Sequence, residues 1–385
     1  MSANGSSFLS IVPQSWRPKL RIAQLAPLYE RIPPRLYGGT ERVVSYVTEE
    51  LVRRGHEVTL FASGDSQTAA RLRPGCAQAL RLTGKPQLGT FYQLPMLSDV
   101  YQGANSRFDV IHSHLDYWSF PFAQLVDVPT VATMHGRLDL EELHPVYARY
   151  RDVPLVSISN AQRKHLPFVN WVATIYHGLP RDLLTPCYAP GRYLAFLGRI
   201  SPEKRPDIAI EVARKAGLPI KIAAKVDVVD RDYFEHVIRP LLAPPDIEYI
   251  GEISEEEKSA FLGHAIALMF TIDWPEPFGL AMIEALACGT PVIARPCGSV
   301  PEVLVHGITG FIAETVEELV AAVKQVGRLS RVECRRQFER RFTVEAMVDR
   351  YEEVYHRLIA LRQGAASSNG RVINVGPVPR HPRQV

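Results

Sequence analysis

The segment Asp273-Trp-Pro-Glu276-Pro-Phe278-Gly279-Leu280-Ala-Met-Ile-Glu284 gathers chemistry-bearing residues at one loop-to-helix junction. One carboxylate, Glu276, stands in the loop, and a second, Glu284, stands about one turn inside the helix. Phe278, Gly279 and Leu280 open that helix, whose first N–H groups lack intrahelical partners and sit at the positive end of its dipole, a ready site for phosphate. Glu284 is placed to accept both hydroxyls of a ribose diol, and Glu276 to reach the hydroxyls of a sugar beyond a diphosphate. Upstream, Gly198-Arg199 closes a strand and Lys204 follows five residues later, which puts two permanent cations on one loop. A departing diphosphate needs such fixed charges. Arg199, Lys204, Glu276 and Glu284 are therefore expected to hold the middle and both ends of a nucleotide sugar.

A second group lies in the first half of the chain, where apolar runs end in Gly38-Gly39, Ser63-Gly64-Asp65, His112-Ser113-His114, His135-Gly136, Ser159-Asn160 and His177-Gly178. Several histidines at strand ends along one edge predict a lined cleft. Gly38 and Gly39 precede a helix, where missing side chains let a phosphate or sugar approach the backbone N–H groups. The pattern is neither G-x-G-x-x-G nor G-x-x-x-x-G-K-[ST], so the dinucleotide and P-loop fingerprints are missing. Asp230-Arg-Asp232 matches an Asp-x-Asp metal string, but two aspartates just ahead of an amphipathic stretch are read as a helix cap that complements the dipole. No residue stands out as a covalent nucleophile.

These residues need elements to position them. Leu20–Ala26, Val58–Ala62, Asp109–Ile111, Thr130–Met134, Leu155–Ile158 and Val172–Ile175 read as strands separated by helical stretches, which predicts a parallel α/β sheet. The helix over 40–54 carries Val43, Val47 and Leu51 on one face and stops at Gly55. A second series, Tyr193–Leu197, Ile220–Ala223, Glu248–Ile250, Ala267–Phe270 and Val292–Ala294, predicts a second sheet. Ser254 with Glu257 and Thr315 with Glu318 have the capping-box spacing and predict helices beginning near 255 and 316. Prolines and glycines between His177 and Gly191 mark a hinge. The expected domains are 18–180 and 190–342, followed by a helix over 343–362 with Met347, Tyr351, Val354, Tyr355 and Leu358 on one face, and a flexible tail over 363–385.

Composition narrows the class. With 44 basic and 41 acidic residues in 385, a net charge of +3 is too balanced for a nucleic-acid footprint. No apolar run reaches the roughly 18 residues that span a bilayer, and the start lacks a signal peptide's pattern, so a cytoplasmic protein is expected. Five cysteines without a C-x-x-C pair favour neither a disulfide framework nor a zinc site. The basic segments Arg31–Arg35 and Arg163–His165 are candidates for weak contact with acidic lipid headgroups, though solvated loops are the commoner reading.

Gly198-Arg199 with Lys204, the Glu276 and Glu284 pair inside EPFGLAMIEALACGTPVIA, and then Gly298, Glu302 and Gly310 resemble the retaining glycosyltransferases of family 4, over roughly Leu20 to Leu361. The resemblance implies the GT-B fold: two facing Rossmann-like domains, donor mainly on the second, acceptor mainly on the first, and a last helix that crosses back. It implies that His114 approaches the donor sugar and that Gly39 lies beneath the diphosphate, while His112 and His135 are open between site and packing roles. It implies glycosyl transfer with retained configuration by a front-face route in which the leaving phosphate helps deprotonate the acceptor hydroxyl. No metal or other cofactor is expected, UDP is the nucleotide expected, and acceptor and oligomeric state are not assigned. Arg205 stands where a glycine often follows the lysine, and Ser299 replaces the second glycine of a common pair. A nucleotide-sugar 2-epimerase and an inactive nucleotide-sugar sensor are the alternatives.

Overall fold

The computed structural model describes residues 18–84 and 86–369. Two parallel sheets organise it. The first has seven strands, β1 (Arg21–Leu25), β2 (Glu57–Ser63), β3 (Arg71–Cys76), β4 (Val110–Ser113), β5 (Thr130–Met134), β6 (Leu155–Ser157) and β7 (Trp171–Thr174), in the order β3-β2-β1-β4-β5-β6-β7. The second has six, β8 (Tyr193–Ile200), β9 (Ile220–Val226), β10 (Ile247–Gly251), β11 (Ala265–Phe270), β12 (Val292–Ala294) and β13 (Gly310–Ile312), in the order β10-β9-β8-β11-β12-β13. In each sheet the order reverses beside its first strand, at β1/β4 and β8/β11. Such switch points open crevices at the carboxyl ends of the strands.

Two strands escape the sequence patterns. β3, Arg-Leu-Arg-Pro-Gly-Cys, is mostly polar and holds Pro74, which only an edge position tolerates because no neighbour there needs its missing N–H. β13 is three residues long, and its Gly310 packs against the Val292 carbonyl with no room for a side chain.

The longer helices carry the framework: α1 (Gly39–Arg53), α2 (Gly89–Tyr101), α3 (Pro206–Ala216), α4 (Glu255–Gly263), α5 (Leu280–Ala287), α6 (Val316–Gln325), α7 (Arg331–Arg341) and α8 (Val344–Asn369). Val43, Val47 and Leu51 on α1 are wholly buried. Both expected capping boxes form, Ser254 with Glu257 on α4 and Thr315 with Glu318 on α6.

The chain crosses between the lobes twice, and the crossings lie side by side. Leu179 N–H donates to the Phe342 carbonyl (2.9 Å) and Val344 N–H to the Leu179 carbonyl (2.8 Å). Helix α8 then packs on α1 and buries Met347, Tyr351, Val354, Tyr355 and Leu358, each contributing about 1.5–3 kcal/mol of apolar burial. Arg54 clamps the junction by pairing with Glu50, Asp349 and Glu352. The helix runs on to Asn369, past the end expected at 362, because Arg362, Gln363, Ala365 and Ala366 are strong helix formers and Gly364 costs only about 1 kcal/mol. The rest of the expected tail, 370–385, lies outside the described residues.

Candidate active site

The carboxyl ends of both sheets face a cleft of about 440 Å³. Gly38, Gly39, Arg199, Lys204, Glu276, Phe278, Gly279, Leu280 and Glu284 all line it, so residues scattered over most of the chain meet at one place.

Helix α5 supplies the phosphate-facing end. Gly279 caps it with φ +82°, a conformation that side chains resist, and a β-carbon there would lie 2.7 Å from the Phe270 ring. The preceding loop is fixed from the next strand's turn: Ser299 N–H donates to the Glu276 carbonyl (3.0 Å) and Ser299 Oγ to the Phe278 carbonyl (2.7 Å). Ser299, a departure from the resembled pattern, thus anchors both ends of the Glu276–Phe278 turn. Arg205, the other departure, takes a left-handed φ of +52° that a glycine would adopt freely. Its guanidinium pairs with Asp207 (2.8 Å) and Asp273 (3.2 Å), offsetting roughly 1–2 kcal/mol of backbone strain.

The ionic residues that the sequence assigns to the second lobe's wall are all paired. Glu276 is held by Lys204 and by Trp274 Nε1 (2.9 Å), and the Lys204 ammonium lies 5.0 Å from the Trp274 ring centre. Glu284, almost fully buried, pairs with Lys258 (2.6 Å). Arg199 faces Glu203 (3.2 Å), Asp230 (3.4 Å) and Asp227 (3.8 Å). Asp230 stands at the N-cap of the short helix Arg231–Tyr233, as expected, but makes no side-chain cap bond and serves as an ionic partner of Arg199. Burial raises its carboxyl despite that cation. Among the described residues no three His, Cys, Asp or Glu converge on a point that could hold a metal ion.

The first lobe corrects one expectation. His114 does not line the cleft: it is 2% exposed and stands behind His135, which does line it together with His177. His114 Nδ1 lies 2.8 Å from His135 Nε2, and its Nε2 donates to Gln24 Oε1 (2.9 Å). His112 is deeper still, bonded to Tyr355 OH (2.7 Å) and Thr133 Oγ1 (2.8 Å). The reason is strand register. His112 and His114 belong to β4 and its end in the sheet centre, whereas His135 follows β5, one strand further from the β1/β4 switch. Burial drives every one of these rings toward neutrality, His112 and His135 down to about 3 and His114 and His177 well below the usual imidazole value.

Contacts across the cleft hold the lobes together. Glu255 accepts from Tyr46 OH (2.8 Å) and pairs with Arg42 (2.5 Å), and Tyr37 N–H donates to Glu252 (2.7 Å). Glu302 accepts from the Asn160 and Ala161 N–H groups (2.8 and 2.6 Å) and from Tyr176 OH (2.9 Å), which makes it a bridge between lobes and not part of the cleft wall. Lys258 and Trp274 were not singled out from the sequence, although Lys258 sits one residue past the Ser254/Glu257 capping box and Trp274 is inside the Glu276 motif. The basic segments have internal partners, Arg31 with the Pro33 carbonyl and Gln67, Arg163 with Thr174. Among the described residues no helix is long and apolar enough to cross a membrane.

Two family models match the chain: Glycosyltransferase Family 4 over residues 37–205 and Glycosyl transferases group 1 over residues 188–341. Similar relatives include a D-inositol 3-phosphate glycosyltransferase of Mycolicibacterium smegmatis, 25% identical with 82% of this chain and 86% of that one covered. Another is an alpha-maltose-1-phosphate synthase of Mycobacterium tuberculosis, 24% identical with 87% and 100% covered. Among solved structures, sucrose-phosphate synthase from Thermosynechococcus elongatus superposes with a TM-score of 0.72 at 20% identity, covering 88% of this chain and 99% of that one. The Anabaena protein HepE in complex with UDP-glucose gives 0.67 at 18% identity, covering 88% and 100%. The shared two-lobed architecture is the GT-B fold.

Proposed function

The chain belongs to the group 1, family 4 glycosyltransferases and acts on a nucleotide-sugar donor, and from that premise we propose that it transfers the glycosyl group of a UDP-sugar to a hydroxyl acceptor with retained anomeric configuration and no metal. The observation that carries this reading is the pair Glu276 and Glu284, set before and inside the first turns of α5, each backed by a lysine, with Arg199 on the facing strand end.

In this reading the α5 amino end, through Gly279 and Leu280, receives the diphosphate, and Arg199 and Lys204 stabilise the charge that builds on it as the glycosidic bond breaks. Glu284 grips the ribose, Glu276 the transferred sugar, and Gly38 and Gly39 let the donor approach the backbone of the first lobe. His135 and His177 border the sugar, and because burial keeps them neutral they act as hydrogen-bonding groups and not as charges. UDP is favoured because the structurally similar Anabaena protein is solved with UDP-glucose. The acceptor is a hydroxyl compound such as a glycan, a lipid or a small metabolite, bound by first-lobe loops, the part of such folds where chemistry varies.

Thermal stabilisation by a panel of nucleotide sugars tests the donor, since a ligand of the folded state raises its melting temperature by mass action. NMR of the product's anomeric proton then tests retention, and turnover in excess EDTA tests metal independence. Absence of any shift with UDP-, GDP- and ADP-sugars would sink the proposal.

A further inference from the structure

Arg137 reaches out of the first lobe onto the two loops that carry Arg199, Lys204 and Glu276. It follows His135 and Gly136, which line the cleft. Asp139 fixes its guanidinium, accepting from Nε (2.9 Å) and Nη2 (2.8 Å). The remaining nitrogen, Nη1, donates to Glu203 Oε1 (3.3 Å), and the guanidinium lies 5.7 Å from the centre of the Trp274 ring. The other oxygen of the same carboxylate, Glu203 Oε2, accepts from Arg199 Nη2 (3.2 Å). Among the described residues this is the one hydrogen bond of the Arg199 side chain: Asp227 and Asp230 stand near it, but its Nε, 3.4 Å from Asp230, has no bonded partner. A single carboxylate is thus shared between a cation of the first lobe and the cation assigned to the diphosphate.

A diphosphate that comes to Arg199 meets Glu203 already on its Nη2, and the displaced carboxylate then repels the phosphates beside it. Lys204, the next residue, is taken up by Glu276, so among the described residues the other cation on Glu203 is Arg137. Building on the nucleotide-sugar reading above, we infer that Arg137 is a positioning residue for the donor: it draws the Glu203 carboxylate to itself and frees Arg199 for the diphosphate. The bidentate grip of Asp139 holds the fork in place for that exchange. The Trp274 contact ties the same fork to the sugar end of the site, since Trp274 Nε1 donates to Glu276 (2.9 Å). Donor affinity then depends on a first-lobe side chain that need not touch the donor. Arg137 and Glu203 are both half-buried, so their attraction is modest and weakens with salt.

A plain bridge between the lobes is the competing account. Breaking such a bridge from either side weakens binding, and the loss from Arg137 does not depend on the charge at position 203. Calorimetry with UDP, GDP and ADP on the wild type selects the nucleotide that binds most tightly. Its Kd is then measured for Arg137→Met, Glu203→Gln and the double variant, beside Tm. Arg137→Met is expected to raise Kd about three- to fivefold at low salt, the scale of a part-exposed ion pair, and less in about 0.5 M NaCl. Glu203→Gln should bind more tightly than wild type, and adding Arg137→Met to it should change Kd by less than about 1.5-fold. In turnover, donor KM should follow Kd while kcat stays within about twofold. An unchanged Kd in Arg137→Met, or the same rise in the Glu203→Gln background, overturns the inference. If Arg137→Met does not fold, Glu203→Gln decides alone: tighter binding supports the exchange, and equal or weaker binding overturns it. A wild type that binds none of the three nucleotides removes the nucleotide-sugar reading itself and this inference with it, whereas binding with additive losses removes this inference alone.

Discussion

His114 Nδ1 lies 2.8 Å from His135 Nε2, and only the second of these rings borders the cleft. Because His114 Nε2 donates to Gln24 Oε1, its Nδ1 is left to accept, so His135 carries its proton on Nε2 and donates to it. His114 thus positions His135 and sets its tautomer. His135→Ala is expected to lower kcat/KM by about 10²-fold with little change in stability. His114→Ala, which removes the partner of the buried Gln24 Oε1 and of His135 Nε2, should cost about 1–3 kcal/mol of stability and a smaller loss of rate. Steady-state kinetics beside urea unfolding separates the two, and equal kinetic losses without destabilisation would contradict the order of the rings.

Arg199 and Lys204 differ in what surrounds them, and so should their variants. Arg199 faces Glu203, Asp227 and Asp230, whereas Lys204 pairs, among the described acids, with Glu276 alone. Arg199→Ala and Lys204→Ala are each expected to reduce kcat by about 10²–10³-fold, far more than they disturb folding. Lys204→Ala should also raise donor KM, because Glu276 loses the cation that orients it. Single-turnover rates measured at saturating donor check this, and wild-type rates in both would refute the diphosphate site.

The alternation of strand and helix, the two series, both capping boxes and the Glu276–Glu284 junction were legible because each is a local pattern: a period, a cap or a spacing within one turn. β3 was not legible, since an edge strand faces solvent and carries Arg71, Arg73 and Pro74 without penalty. The roles of His114 and His135 were not legible either. Both follow strands, and only the sheet order tells which one reaches the cleft. Asp230 was legible only in part: it does stand at the N-cap of the short helix Arg231–Tyr233, though without a side-chain cap bond, while its pairing with Arg199 joins residues 31 positions apart in sequence across neighbouring strands β8 and β9.

Glu284 and Lys258 form a buried pair at 2.6 Å, which predicts unequal effects of removing either member. Glu284→Ala strands a lysine and removes the ribose acceptor, so nucleotide affinity should fall by about 10–100-fold, the range of a charge-assisted hydrogen bond. Lys258→Met leaves the acceptor in place and should weaken binding less while lowering stability more. Calorimetry with UDP and thermal unfolding of both variants give the comparison, and unchanged affinity in Glu284→Ala would rule out the ribose assignment.

The buried histidines also predict how stability depends on pH. Burial, reinforced for His112 and His177 by His135 and for His114 by its three neighbours, holds all four rings neutral in the folded protein, His112 and His135 down to about pH 3. In the unfolded chain each gains a proton as the pH falls through about 6.5. The unfolded state therefore binds more protons between those limits, and stability is fully present above about pH 6.5 and declines below it, by up to about 1.4 kcal/mol per pH unit for each ring. The depressed carboxylates, Glu50 beside Arg53 and Arg54 and Glu352 beside His56 and Arg54, lose their contribution only as pH falls below about 4.5, whereas Asp116, which burial pushes up to about 6, and the raised Glu30 and Glu41 gain protons in the folded state and offset part of the histidine loss between 6.5 and 4.5. Urea unfolding across that window should give a falling stability, with a shallower slope in His112→Asn, and NMR should find none of these four rings titrating near 6.5. A flat profile, or one of these four imidazoles charging in the folded state within that window, would mean that water reaches the rings and that His135 enters the cleft as a cation.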